Sequence, residues 1–168
     1  IGNKILYHQI SEDYGRARNI ENFAKVREAM QSDRDLKFIH IKRENKLAQL
    51  LSEHLARRTK NWRGEKYSKD PIHISVDDAK RHFEEIDAYE QKYDRELPTD
   101  RTLTMTYEEY SANLQNELGR AFAFLGVSPV RAMEKIRKQG ALPPCDAIAN
   151  FGELKTAFSD TKFKEYFA

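Results

Sequence analysis

The segment from Lys37 to Trp62, KFIHIKRENKLAQLLSEHLARRTKNW, constrains the fold more than any other stretch of the chain. Phe38, Ile39 and Ile41 read as a buried strand over Leu36–Ile41, ending in the basic pair Lys42-Arg43. A helix follows at once, with Leu47, Leu50, Leu51 and Leu55 on one face and Asn45 or Glu44 as its cap. Open parallel sheets bind ligands where a strand ends and the next helix presents its N-terminus. Unpaired N–H groups and a partial positive charge favour anions there. Arg43 at the strand end and Ser52 inside the helix therefore form a candidate phosphate clamp. Ser52 lies on the order of 10 Å along the helix, so a ligand phosphate between the two is within reach. The competing reading pairs Arg43 with a nearby acid and leaves Ser52 on the helix surface.

The rest of the pattern is consistent with alternating strands and helices. Lys4–Ile10 (KILYHQI) reads as a short strand, and 19–31 as a helix carrying Ile20, Phe23, Val26 and Met30. With Leu36–Ile41 these make a strand–helix–strand crossover and hence a parallel sheet. Residues 63–75 read as a polar loop. Ser75 opens a helix through about Tyr93, with Ala79, Phe83, Ile86, Tyr89 and Tyr93 inward. Leu103–Tyr107 alternates like a strand, and Glu108–Leu125 reads as one helix stopped by Gly126. A helix from Ser128-Pro129 to Lys138, a break at 140–144 and a last helix over Asp146–Phe158 complete the helical C-terminal part.

Charge narrows the partners. Lys+Arg 29 against Asp+Glu 27 is nearly balanced, which argues against a general nucleic-acid binder. The balance is local: residues 37–66 hold nine basic and three acidic side chains, residues 70–100 ten acidic and four basic. A positive patch beside the clamp would suit a small polyanion. Cys145 alone excludes an internal disulfide and a Cys-rich metal site, and reads as a half-buried loop thiol after Pro143-Pro144. No apolar run reaches membrane-spanning length and no signal peptide is visible, so a cytoplasmic location is expected.

Other chemistry-bearing residues are fewer. Lys4 and His8 share one face of the first strand; a lysine there would stabilise a leaving oxygen and a histidine would deprotonate a hydroxyl. A hydrogen-bonded structural role is the plainer reading of His8. His40 reads as core, while His54, His73 and His82 have no metal-ligand spacing, and no metal is expected. Arg57, Arg58, Lys60, Trp62 and Arg63 mix guanidinium groups with an aromatic, suited to an anionic or sugar ligand or to a solvated helix end. Arg137-Lys138 is a second basic turn. Walker-type, dinucleotide-binding, zinc-protease and nucleophile-elbow motifs are absent from the sequence.

Taken together, GNKILYHQI, FIHIKRENKLAQLLSEHLARRTKNW, TMTYEEY with AFAFLGVSP, and RKQG with AIANFGELKTAF resemble sulfotransferases that use 3′-phosphoadenosine 5′-phosphosulfate (PAPS). The likeness is closest to the bacterial carbohydrate branch, of the trehalose and nodulation-factor type. It implies a P-loop-like three-layer α/β sandwich, a parallel sheet flanked by helices, over a single domain spanning 1–168. It implies that Arg43 and Ser52 bind the nucleotide's 3′-phosphate and that Arg137 and Lys138 approach it. Lys4 and His8 become catalytic candidates, Trp62 and Arg58 substrate-binding ones, and Tyr107 and Glu108 scaffold. The acceptor would be a carbohydrate-like hydroxyl. The family's phosphosulfate loop and a catalytic carboxylate would precede Ile1, so the expectation is either an N-terminally incomplete copy or a chain that has lost that half of the donor site. The alternative is a non-catalytic nucleotide- or partner-binding module of the same fold; a nucleotide kinase would need a Walker lysine upstream.

Overall fold

The computed structural model describes residues 4–7, 20–60, 70–131 and 142–168. Their regular elements run α1 (Ile20–Ser32), β1 (Phe38–Lys42), α2 (Lys46–Thr59), α3 (Val76–Glu96), β2 (Thr102–Thr106), α4 (Tyr107–Ala112), α5 (Leu114–Leu125), α6 (Pro144–Ala147) and α7 (Phe151–Ala157). Single 3₁₀ turns at Thr99–Arg101 and Lys164–Phe167 complete the order. Helix and parallel sheet are both present, so the class is α/β. Strands β1 and β2 pair in parallel from Phe38↔Thr102 to Lys42↔Thr106.

The caps explain where the helices begin. Asn45 accepts from the Ala48 N–H at 2.9 Å and starts α2; Ser75 accepts from the Asp78 N–H at 3.1 Å and starts α3. Thr106 and Glu109 form a reciprocal capping box at α4. The expected helix 108–125 is two helices. Asn113 leaves helical geometry at φ −144° and caps α5 through the Asn116 N–H, because a short side-chain acceptor competes with the helical ladder. Gly126, at φ 74°, ends α5 as expected, in the left-handed conformation that glycine adopts without penalty. The last expected helix is likewise split: Ile148 leaves the helix to bridge Ile72 in parallel, and Asn150 bonds both backbone groups of Ile74.

Four expectations are corrected. Residues 4–6 carry no regular structure and Tyr7 is helical, so the described part of 4–10 is not a strand; residues 8–10 lie outside the description. On β1, His40 is core as expected at 6% exposed, but Ile39 and Ile41, expected to be buried, are 36% and 55% exposed. Period-two alternation sends His40 to the opposite face from the isoleucines, and that face is the one covered, by Tyr7 and the end of α3. Cys145 is exposed and within α6 rather than half-buried in a loop. The 128–138 helix is not formed at Ser128–Arg131, and its remainder lies outside the described residues.

The hydrophobic core lies away from the sheet. Leu47, Leu50, Leu51 and Leu55 of α2 meet Ile74, Phe83, Ile148, Leu154, Phe158, Phe163 and Phe167. Phe83 is fully buried, its ring centroid 5.1–5.3 Å from those of Tyr166, Phe158 and Phe163. This packing fixes α2, and α2 in turn carries the polar row described next.

Candidate functional site

Arg43 leaves β1 at its carboxyl end, one residue past the last strand position. Its guanidinium carbon lies over the ring of Tyr107, the first residue of α4, 4.5 Å from the centroid, so the cation rests on an aromatic face. Parallel pairing of β1 with β2 brings this about: both strands end at the same level, and the residues after each become neighbours. Burial lowers the Arg43 pKa, against the opposing pull of Tyr107 and Glu108, but a guanidinium remains charged at any physiological pH.

Glu108 supplies the acid that the competing reading anticipated. Its carboxylate accepts from the Glu44 N–H at 3.0 Å and the Asn45 N–H at 3.4 Å, and Oε1 lies 3.9 Å from Arg43 Nε. The 3.9 Å separation is an ion pair without a hydrogen bond. Two backbone donors before α2 are thus already satisfied by an internal anion. Among the described residues the Arg43 guanidinium makes no hydrogen bond, and its Nε is buried without a hydrogen-bond partner.

Ser52 lies half-buried two turns into α2, and its hydroxyl has no hydrogen-bond partner among the described residues. Lys46 is held inside by Glu90 at 2.5 Å and by the carbonyl of Arg43. Arg58 sits exposed in the last turn of α2 and pairs with Asp70 at 3.7 Å. It is on the order of 18 Å along the helix from Lys46, so it does not join the Arg43 end. Lys4 is exposed in the irregular segment 4–6. His8, Trp62, Arg137 and Lys138 lie outside the described residues.

A second polar cluster was not anticipated. The Tyr7 hydroxyl lies 2.6 Å from His40 Nε2, and its ring stacks on Tyr93 at 5.4 Å and 7°. His40 Nδ1 is 3.5 Å from Asp94, which also binds Lys42 at 2.6 Å. Burial chiefly, then Glu90 and Asp94, push the Tyr7 phenol above its ordinary range, so it stays a neutral donor. Burial and then Lys42 lower His40, which favours the neutral imidazole that accepts this proton. The sequence signal was the opposite charge of residues 37–66 and 70–100. Lys42–Asp94, Lys46–Glu90 and Arg58–Asp70 all join those two runs. Much of the expected positive patch is therefore neutralised by its neighbour, while Lys37 and Arg43 each lie over an aromatic ring, of Phe124 and Tyr107 respectively.

Among the described residues no helix is long and apolar enough to cross a membrane, and no group of three or more metal-ligand side chains is gathered. No protein-family model, curated protein or solved structure matches the chain.

Proposed function

We propose that this chain is a PAPS-dependent sulfotransferase domain of P-loop-like three-layer architecture. It would transfer the sulfuryl group from 3′-phosphoadenosine 5′-phosphosulfate to a hydroxyl of a carbohydrate-like acceptor in the cytoplasm. The observation that carries this reading is Arg43: a half-buried cation at the end of a parallel strand, placed over the Tyr107 ring and without a hydrogen bond among the described residues. Its Nε is buried with no hydrogen-bond acceptor, which costs free energy unless a ligand supplies one. A phosphate matches it well, since a guanidinium can hold two oxygens at once. Ser52 donates from its hydroxyl to the same phosphate, and Arg137 and Lys138 add charge.

In the transfer, the acceptor oxygen forms a bond to sulfur as the bridging phosphate oxygen leaves. His8 takes the hydroxyl proton and Lys4 neutralises the departing oxygen, so catalysis rests on positioning and charge stabilisation. Trp62 and Arg58 line the acceptor side. Incubation with PAPS labelled in its sulfate and an oligosaccharide acceptor tests the reading. Transfer by the wild type and its loss in Arg43→Ala are expected. A folded chain that moves no label onto any saccharide would overturn it.

One observation favours a second reading. Glu108 already fills two of the backbone donors that a phosphate would use. A module that binds nucleotide or a partner without transferring sulfate fits that internal satisfaction. Nucleotide binding without label transfer would select it.

A further inference from the structure

Segment 4–7 meets the rest of the chain through a titratable group. Lys4, Ile5 and Leu6 are exposed, whereas Tyr7 is half-buried, so Tyr7 supplies the segment's burial. Its ring stacks on Tyr93 at 5.4 Å and lies 5.8 Å from Tyr89, both on α3. Its hydroxyl is 2.6 Å from His40 Nε2 on β1. The direction of this hydrogen bond follows from the other side of the imidazole. Asp94 lies 3.5 Å from Nδ1, which places the ring proton there and leaves Nε2 as the acceptor. The Tyr7 phenol is therefore the donor, and the contact as it stands requires a neutral imidazole. A second proton on His40 takes the Nε2 lone pair, and the phenol can then offer only its oxygen. The charge so formed is poorly placed. The ring is 6% exposed, with Lys42 on its own strand and Lys46 on α2 beside it. Asp94 opposes these two, but already binds Lys42 at 2.6 Å, and Glu90, which faces Tyr7 from α3, is bound to Lys46.

We propose that His40 is an acid-sensitive latch for segment 4–7: neutral, it holds the segment against β1 and α3 through Tyr7, and protonated, it releases it. The coupling is reciprocal, because a proton that weakens docking must itself bind less readily while the segment is docked. Burial and the two lysines lower His40 in the same sense, so release comes as the pH falls below about 6.5. The change is local. The hydrophobic core around Phe83 includes neither Tyr7 nor His40, and a segment with few buried contacts opens at lower free energy than the whole fold. Tyr7, His40 and Asp94 take no part in the transfer described above, so the latch holds or fails independently of that reading. Lys4 lies in the segment, so under that reading acid would also withdraw the group assigned to the departing oxygen.

Nuclear magnetic resonance of the full chain, labelled at tyrosine and histidine rings and leucine methyls, follows both partners from pH 8 to 5. Tyr7 signals, assigned by their loss in Tyr7→Phe, should leave their ring-stacked position with the same midpoint as His40. The methyl signals of Leu47 and Leu154 in the core should stay in place. In Tyr7→Phe the His40 midpoint should rise by about half to one pH unit, the span of one neutral hydrogen bond. In His40→Gln, which keeps an acceptor that does not titrate, the Tyr7 signals should no longer respond to pH. Should that variant fail to fold, Tyr7→Phe decides alone, since it removes only a hydroxyl from a half-buried ring. Tyr7 signals that stay fixed through the His40 titration, or a His40 midpoint unmoved in Tyr7→Phe, would overturn the latch. Movement of Tyr7 together with the core methyls would overturn it equally, because the change would then be global unfolding.

Discussion

At Arg43 three neighbouring contacts divide the work: Tyr107 supports the guanidinium, Glu108 takes the backbone donors, and Lys46 binds the Arg43 carbonyl. The carboxylate of Glu108 lies close enough to oppose a bound anion, since like charges a few ångströms apart repel even near a protein surface. Replacing Glu108 by Gln keeps an acceptor oxygen for one N–H and removes the charge. Affinity for adenosine 3′,5′-bisphosphate should rise severalfold, and calorimetry at low salt would read it; weaker binding would make Glu108 a positioning group instead. His40 and His82 give a second prediction at this scale. Burial lowers both imidazoles in the folded chain, although Asp94 and Glu53, respectively, pull the other way. Below the unfolded value of about 6.5 the unfolded chain therefore binds more protons than the folded one. Stability is fully present above that pH and declines as the pH falls from it toward the lowered folded values. Denaturation midpoints measured from pH 8 to 5 should be flat and then fall, and a rise on acidification would contradict the burial of these rings.

Between elements, the Lys46–Glu90 pair is the strongest polar tie of α2 to α3, with the two side chains only 4% and 14% exposed. Removing one member of a buried pair strands the other charge, at a cost of about 3–5 kcal/mol. Lys46→Ala should show that loss in urea denaturation, and Lys46→Met with Glu90→Leu should recover most of it. A single variant as stable as wild type would mean that the pair is solvated. Elements with strong local signals were readable from the chain: the leucine stripe of α2, Asn45, Ser75 and Gly126 each mark a boundary that the structure keeps. The misreadings have a common cause, namely competition from outside the element. Asn113 is helix-compatible in a sequence window, but its side chain caps the following helix. Ile148 continues an apolar period, yet pairs with Ile72, 76 residues earlier. Ile39 and Ile41 are strong strand formers, and the face they occupy is exposed because His40 takes the covered one.

For the whole molecule, stability is concentrated in the aromatic cluster around Phe83. Phe83→Ala should cost about 3–5 kcal/mol, a large part of the roughly 5–15 kcal/mol that holds a domain together. Circular dichroism melts would check it; a loss below about 1 kcal/mol would mean the cluster collapses around the gap. The candidate site was legible only in part. Arg43 and Ser52 could be picked out because a strand end and a helix row are local patterns. Tyr107 and Glu108 contact Arg43 through the parallel register of β1 with β2, which no window of sequence contains. The same holds for Tyr7, His40 and Asp94, which come together from three separate segments. The central claim is that Arg43 binds the 3′-phosphate of an adenine nucleotide, and calorimetry with adenosine 3′,5′-bisphosphate measures it most directly. Saturable binding by wild type, weakened in Arg43→Ala by about 1.5–3 kcal/mol, is the expected result. A folded Arg43→Ala protein with unchanged affinity, or a wild type that takes up no nucleotide, would contradict it.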